Sequence, residues 1–86
     1  MSSSIPDFKR KLEEQHSFPT IYMFKFIIPS GREGEVIRLL PDGDITSKLS
    51  KEGKYTSITA RLMMSTSDEV IEIYNNTHSI EGIIAL

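Results

Sequence analysis

The stretch Ser50-Lys51-Glu52-Gly53-Lys54-Tyr55-Thr56-Ser57-Ile58-Thr59 joins the tightest turn signal in the chain to its clearest strand. Gly53 can take positive φ, so Lys51-Glu52-Gly53-Lys54 predicts the turn of a hairpin. Beyond it Ile58, Ala60, Leu62 and Met64 alternate with Ser57, Thr59, Arg61 and Met63. That period of two predicts a strand over 55–65 with one buried face. Lys51, Lys54 and Tyr55 also make the densest positive cluster, a pattern that fits a phosphate or base contact. Set on a hairpin, they read more simply as a solvated turn and a strand entrance, with the hairpin tip as the contact edge of any binding role.

Before the turn, Ile45, Ser47 and Leu49 alternate with Thr46, Lys48 and Ser50, which predicts a half-buried partner strand over 45–50. Asp42-Gly43-Asp44 reads as the turn that leads into it.

From Ile21 to Ile28 nearly every residue is β-branched, aromatic or Met, and Lys25 is the sole charge. This predicts a strand through the centre of a sheet. Ile21, Met23, Lys25 and Ile27 share one side, and Tyr22, Phe24, Phe26 and Ile28 share the other. An unpaired buried lysine is costly, so the aromatic side is expected to face the core. The Lys25 side is then unusually apolar for a solvated surface.

Ser30 and Glu33 have the spacing of a capping box, predicting a helix to about Leu40 with Val36, Ile37 and Leu40 inward and Pro41 as its stop. Thr66-Ser67-Asp68-Glu69 is a second such box, and Val70, Ile73, Tyr74 and Thr77 fall on one face of the helix that follows. Ile83 to Leu86 predicts a short last strand. At the other end residues 1–4 are expected to fray. Pro6 can open a short helix to about Gln15, with Phe8 and Leu12 as a thin apolar stripe. Phe18-Pro19-Thr20 then extends the chain.

The predicted order is helix, β, α, β, β, α, β. After the first helix this is the split βαβ pattern of an α+β, ferredoxin-like fold: a four-stranded antiparallel sheet with two helices on one face. A KH-like arrangement would need another strand order and stays open on these data. The organisation expected is an N-terminal extension over 1–17 and one domain over 18–86.

At 86 residues the chain supports one modest core. It has no Cys, which excludes a disulfide framework and thiolate chemistry. The net charge of −2 argues against a general nucleic-acid binder. No apolar run approaches the roughly 18 residues of a membrane span, and the N-terminus lacks a signal-like apolar core. A soluble cytoplasmic protein is expected.

Candidate chemistry is sparse. His16 and His78 stand near helix ends without a local catalytic array. Asp42, Asp44 and Glu52 lie in turns, and Asn75-Asn76-Thr77 is a glycosylation triplet on a predicted helix. No metal site, cofactor or catalytic residue is expected. Ser30, Gly31, Arg32 and Gly34 are the candidate ligand-binding residues, because two glycines beside a helix start can expose N–H groups to an anion. The string also spells the GxxG of a KH loop. An RNA-recognition module needs aromatics on its open sheet face, whereas that face here would carry Ser57, Thr59, Arg61 and Met63.

The same face suggests a protein contact. Ile21, Met23, Ile27 and Met63 would form an apolar patch around Lys25 and Arg61, bordered by Lys51, Lys54 and Tyr55 at the hairpin. A protein partner or self-association is expected there.

The Phe18-Pro19-Thr20 element, the aromatic strand with Lys25 in its middle, and the S-K-x-G-x-Y-x-S spacing from Ser50 to Ser57 together resemble the YbeD-like family of small bacterial proteins. The likeness runs from about Phe18 to Leu86, with a shorter helix over Arg32–Pro41. The resemblance implies a ferredoxin-like βαββαβ fold similar to ACT regulatory domains, and no established enzymatic activity. For that family a link to lipoate metabolism has been suggested by gene neighbourhood. ACT domains hold small ligands near the loop after the first strand, here Ser30-Gly31-Arg32-Glu33-Gly34, although the usual Asp and Pro are absent. Two functions are therefore expected in order: a non-catalytic regulatory or protein-interaction module, then an ACT-like small-ligand sensor. An RNA-binding module ranks below both.

Overall fold

The computed structural model describes the backbone of residues 4–86 and side chains from Pro6 onward. The elements are α1 (Ser4–Gln15), β1 (Thr20–Pro29), α2 (Glu33–Arg38), β2 (Asp44–Leu49), β3 (Tyr55–Met64), α3 (Ser67–His78) and β4 (Ile84–Ala85). The fraying expected for residues 1–4 falls largely on 1–3, outside the described residues. Ser4 already belongs to α1, two positions ahead of the expected start. Pro6 is tolerated there because the first-turn N–H groups have no helical partner.

The sheet has the order β2-β3-β1-β4, every neighbouring pair antiparallel. β1 and β2 both run against β3, so they are parallel to each other and joined through α2. β3 and β4 both run against β1 and are joined through α3. That is the split βαβ arrangement, and the fold is α+β and ferredoxin-like.

Phe24, Phe26 and Ile28 are fully enclosed on the helix side of β1, as are Ile58 and Ala60 on β3. Val36 of α2, Val70 of α3 and Leu12 of α1 close over them. Each such large side chain contributes about 1.5–3 kcal/mol by leaving water. Tyr74 of α3 gathers the aromatic part of this core. Its ring lies 5.2 Å from Phe24 and 5.7 Å from Phe8, and its hydroxyl is 3.2 Å from that of Tyr22.

Three local expectations are corrected. The Ser30–Glu33 capping box does not form: Arg32 is the N-cap residue, and no side chain caps α2. The helix stops at Arg38, so Ile37 is exposed while Val36 and Leu40 remain buried. So short a helix cannot cover the sheet edge, and the expected half-buried strand over 45–50 is an exposed edge strand with only Ile45 half-buried. At α3 the cap holds, with Thr66 Oγ1 accepting from the Glu69 N–H at 3.3 Å. The Glu69 carboxylate reaches back to the Ser65 N–H at 2.7 Å instead of closing the box on Thr66.

Gly43 permits a close approach. A Cβ there would collide with the Leu62 side chain and lie 3.1 Å from the Arg61 carbonyl. The Phe18–Pro19 peptide between α1 and β1 is cis.

Candidate functional site

The loop from β1 to α2 is internally bonded. Ser30 Oγ lies 3.1 Å from Thr56 Oγ1, and the Gly31 N–H donates to Glu33 Oε1 at 2.9 Å. Arg32 forks onto Glu35, with Nε and a terminal nitrogen at 3.0 and 2.9 Å from the two carboxylate oxygens. Its other terminal nitrogen donates to the Glu81 carbonyl at 2.8 Å. Glu33 also accepts from Thr56 Oγ1 at 2.6 Å. That bond, with the N–H groups of Glu33 and Gly31, holds the Glu33 carboxyl below the usual carboxylate range. The Arg32 guanidinium does the same for Glu35. The structure thus brings Ser30, Gly31 and Arg32 together, and each points its polar group at this chain's own partners. Gly34 has open space around its Cα.

A second polar cluster joins α1 to α3. Lys9 Nζ lies 2.9 Å from Asp68 Oδ1, 2.9 Å from Ser67 Oγ and 3.1 Å from Glu13 Oε2. The buried Ser67 hydroxyl donates to Glu13 Oε2 at 2.6 Å. A serine beside a lysine and a carboxylate invites a nucleophile reading. The charges oppose it: Asp68 and Glu13 raise Lys9, and Ser67 and Lys9 lower Glu13. A general base working near neutral pH needs the reverse shifts. The cluster fastens α1 to the start of α3. His16 packs edge-on against Tyr22 at 5.2 Å, and His78 is exposed at the end of α3. Among the described residues no group of three His, Asp or Glu side chains is placed to hold a metal ion.

The open sheet face is different. Register aligns Ile21 with Met63, Met23 with Arg61 and Asp44, Lys25 with Thr59 and Thr46, and Ile27 with Ser57 and Lys48. All expected residues of the patch therefore share one surface. Ile21, Met23 and Met63 are each more than half exposed, and Ile27 is half-buried. Tyr55 is exposed where β3 enters the sheet, at the foot of the hairpin. The turn itself is tight: the Ser50 N–H donates to the Tyr55 carbonyl at 2.7 Å, and Gly53 has φ +78°. Lys51 and Lys54 stand exposed at its tip.

Ile84, Leu86 and Lys48 also lie on this face, beyond the residues expected there. Ile84 pairs with Ile27, and the Leu86 N–H donates to the Lys25 carbonyl at 2.9 Å, so both extend the apolar band across β4. Both are more than half exposed. Their spacing of two was the available signal, but a two-residue strand does not reveal its register from sequence. Lys48 was legible, since it alternates with Ile45.

A family model described as "Protein of unknown function (DUF493)" matches residues 13–86. The chain belongs to the DUF493 family. These are the YbeD-like small bacterial proteins to which the Ser50–Ser57 spacing pointed. Among curated DUF493 relatives, a UPF0250 protein of Shewanella sediminis (strain HAW-EB3) is 31% identical over 80 residues, covering 85% of this chain and 91% of that protein. UPF0250 proteins of Shewanella putrefaciens (strain CN-32 / ATCC BAA-453) and Shewanella halifaxensis (strain HAW-EB4) are 30% and 28% identical with the same coverage. No solved structure matches the chain. Both the open face and the β1–α2 loop lie inside the region matched to DUF493. No helix among the described residues is long and apolar enough to cross a membrane.

Proposed function

We propose that this chain is a non-catalytic protein-interaction module of the cytoplasm, and that it works by docking a protein through the open face of its sheet. One observation carries the reading: five large apolar side chains, Ile21, Met23, Met63, Ile84 and Leu86, are each more than half exposed on that one surface. Contiguous exposed apolar surface on a small domain marks a contact site. The ligand-sensor reading draws less support, because the Gly31 and Arg32 donors already meet Glu33, Glu35 and Glu81. RNA binding draws less still. Stacking needs aromatic rings, and among the described residues Tyr55 is the one aromatic at this face.

The test is the pair Met23→Glu, Met63→Glu. Both positions are exposed, so the double variant should fold like the parent. Proteins that co-purify with the parent from its native cells should be absent from the variant. An unchanged set of co-purifying proteins would overturn the reading.

A further inference from the structure

Resting on the docking role just proposed, we infer that the open face is built for an acidic, aliphatic segment of another protein rather than for a second copy of this chain. The face has a division of labour. Ile84 and Ile27, Leu86, Met23, and Ile21 with Met63 form an apolar band along β4 and β1 and onto the end of β3. Lys25, Arg61 and Lys48 border it in successive rows. Among the described residues the one side-chain carboxylate on the face is Asp44, opposite Arg61. The ion pairs among those residues belong to Lys9, Arg10 and Arg32, and none engages Lys25, Lys48 or Arg61.

The side chains of the face thus sum to +2, which leaves −4 for the other side chains of a chain whose side-chain total is −2. The cations sit against the apolar band, so any occupant of the band must also cover them. A neutral or basic occupant would strand them out of water, whereas Asp and Glu would pair with them.

A second copy fits badly on charge. Face-to-face packing would bring together two surfaces that each carry Lys25, Lys48 and Arg61 against one Asp44. The apolar residues are aliphatic or Met, which pack well against Leu, Ile and Val and offer no stacking platform for bases.

The experiment is selection of a random short-peptide display library on the full chain, followed by amide chemical-shift mapping and affinity measurement for the enriched peptides. Expected are peptides that interleave Asp or Glu with aliphatic residues and shift the amides of Met23, Lys25, Arg61 and Ile84. Their affinity should fall about tenfold or more in Lys25→Glu, Arg61→Glu, and again between about 0.05 and 0.5 M salt. Enriched peptides that are neutral or basic but shift the same amides would overturn the acidic preference while leaving the docking face in place. Enrichment mapping elsewhere, or no enrichment, would overturn both. Oligouridine shifting these amides with equal affinity would overturn both, and a concentration-dependent dimer in sedimentation that Met23→Glu abolishes would overturn the acidic-segment inference alone.

Discussion

Thr56 Oγ1 donates to Glu33 Oε2 at 2.6 Å, tying the entrance of β3 to the first turn of α2. Thr56 is buried, and this bond is the leading reason that the Glu33 carboxyl sits below its ordinary range. The loop that begins with Ser30 is held by a residue that follows the hairpin.

That bond predicts an acid signature. A carboxyl lowered in the folded state stabilises the fold when ionised, above the unfolded value of about 4.3. The contribution disappears as pH falls through the depressed folded value. Thr56→Val keeps the shape and removes the donor. Its melting temperature should lie below the parent's at neutral pH, and the gap should narrow on acidification below about pH 4. Parallel curves would assign the bond no role.

Tyr74 predicts the opposite limb. Burial, then the Tyr22 hydroxyl, push its phenol well above the usual tyrosine range. The unfolded phenol ionises first, so stability is complete below about pH 10 and is lost as pH rises further. Tyr74→Phe should cost about 1 kcal/mol at neutral pH through the lost bond to Tyr22. In alkali its stability should decline less steeply than the parent's. Urea midpoints measured across that range check both statements.

Gly43 and Gly34 should respond with opposite sign to alanine. At Gly43 the new methyl would press on the buried Leu62 side chain and the Arg61 carbonyl. Overpacking of that kind costs about 1–3 kcal/mol. Gly34 lies within α2, and a Cβ added there would meet nothing within 4 Å. There alanine should stabilise by about 0.5–1 kcal/mol, because a helical glycine loses more backbone freedom on folding. Thermal melts of the two variants check the signs.

Leu12 sets how firmly α1 is held. It is 3% exposed and inserts into the main core. Leu12→Ala should cost about 2–5 kcal/mol. Hydrogen exchange should rise most in α1, since the Lys9 cluster with Glu13 and Asp68 is an exposed fastening worth little by itself. Equal acceleration in every element would show that α1 has no separate opening.

These relationships also mark how far the sequence could be read. Lys25 assigned the faces of β1 correctly, because a lone charge in an apolar strand points to water at least cost. Gly53 and the alternation from Ile58 to Met64 located the hairpin and β3 for equally local reasons. Ser30 misled, because its hydroxyl has a nearer partner in Thr56, distant in sequence and adjacent only after β1 and β3 pair. Ile37 misled because helical spacing alone does not say where a six-residue helix ends. Leu49 pairs with the buried Thr56 yet lies exposed on the edge strand, a difference that alternation within β2 does not reveal. Ile84 and Leu86 joined the candidate surface only once β4 was registered against β1.

If the open sheet face is the protein's contact surface, a partner must lie against Met23 in the cell. A photo-activated cross-linking amino acid placed at Met23, on that face, and separately at the exposed Glu72 of α3, probes this in native cells. A discrete protein adduct is expected from position 23, absent from position 72 and abolished when Met63→Glu is added. Adducts of equal yield from both positions, or an adduct from position 72 alone, would contradict it.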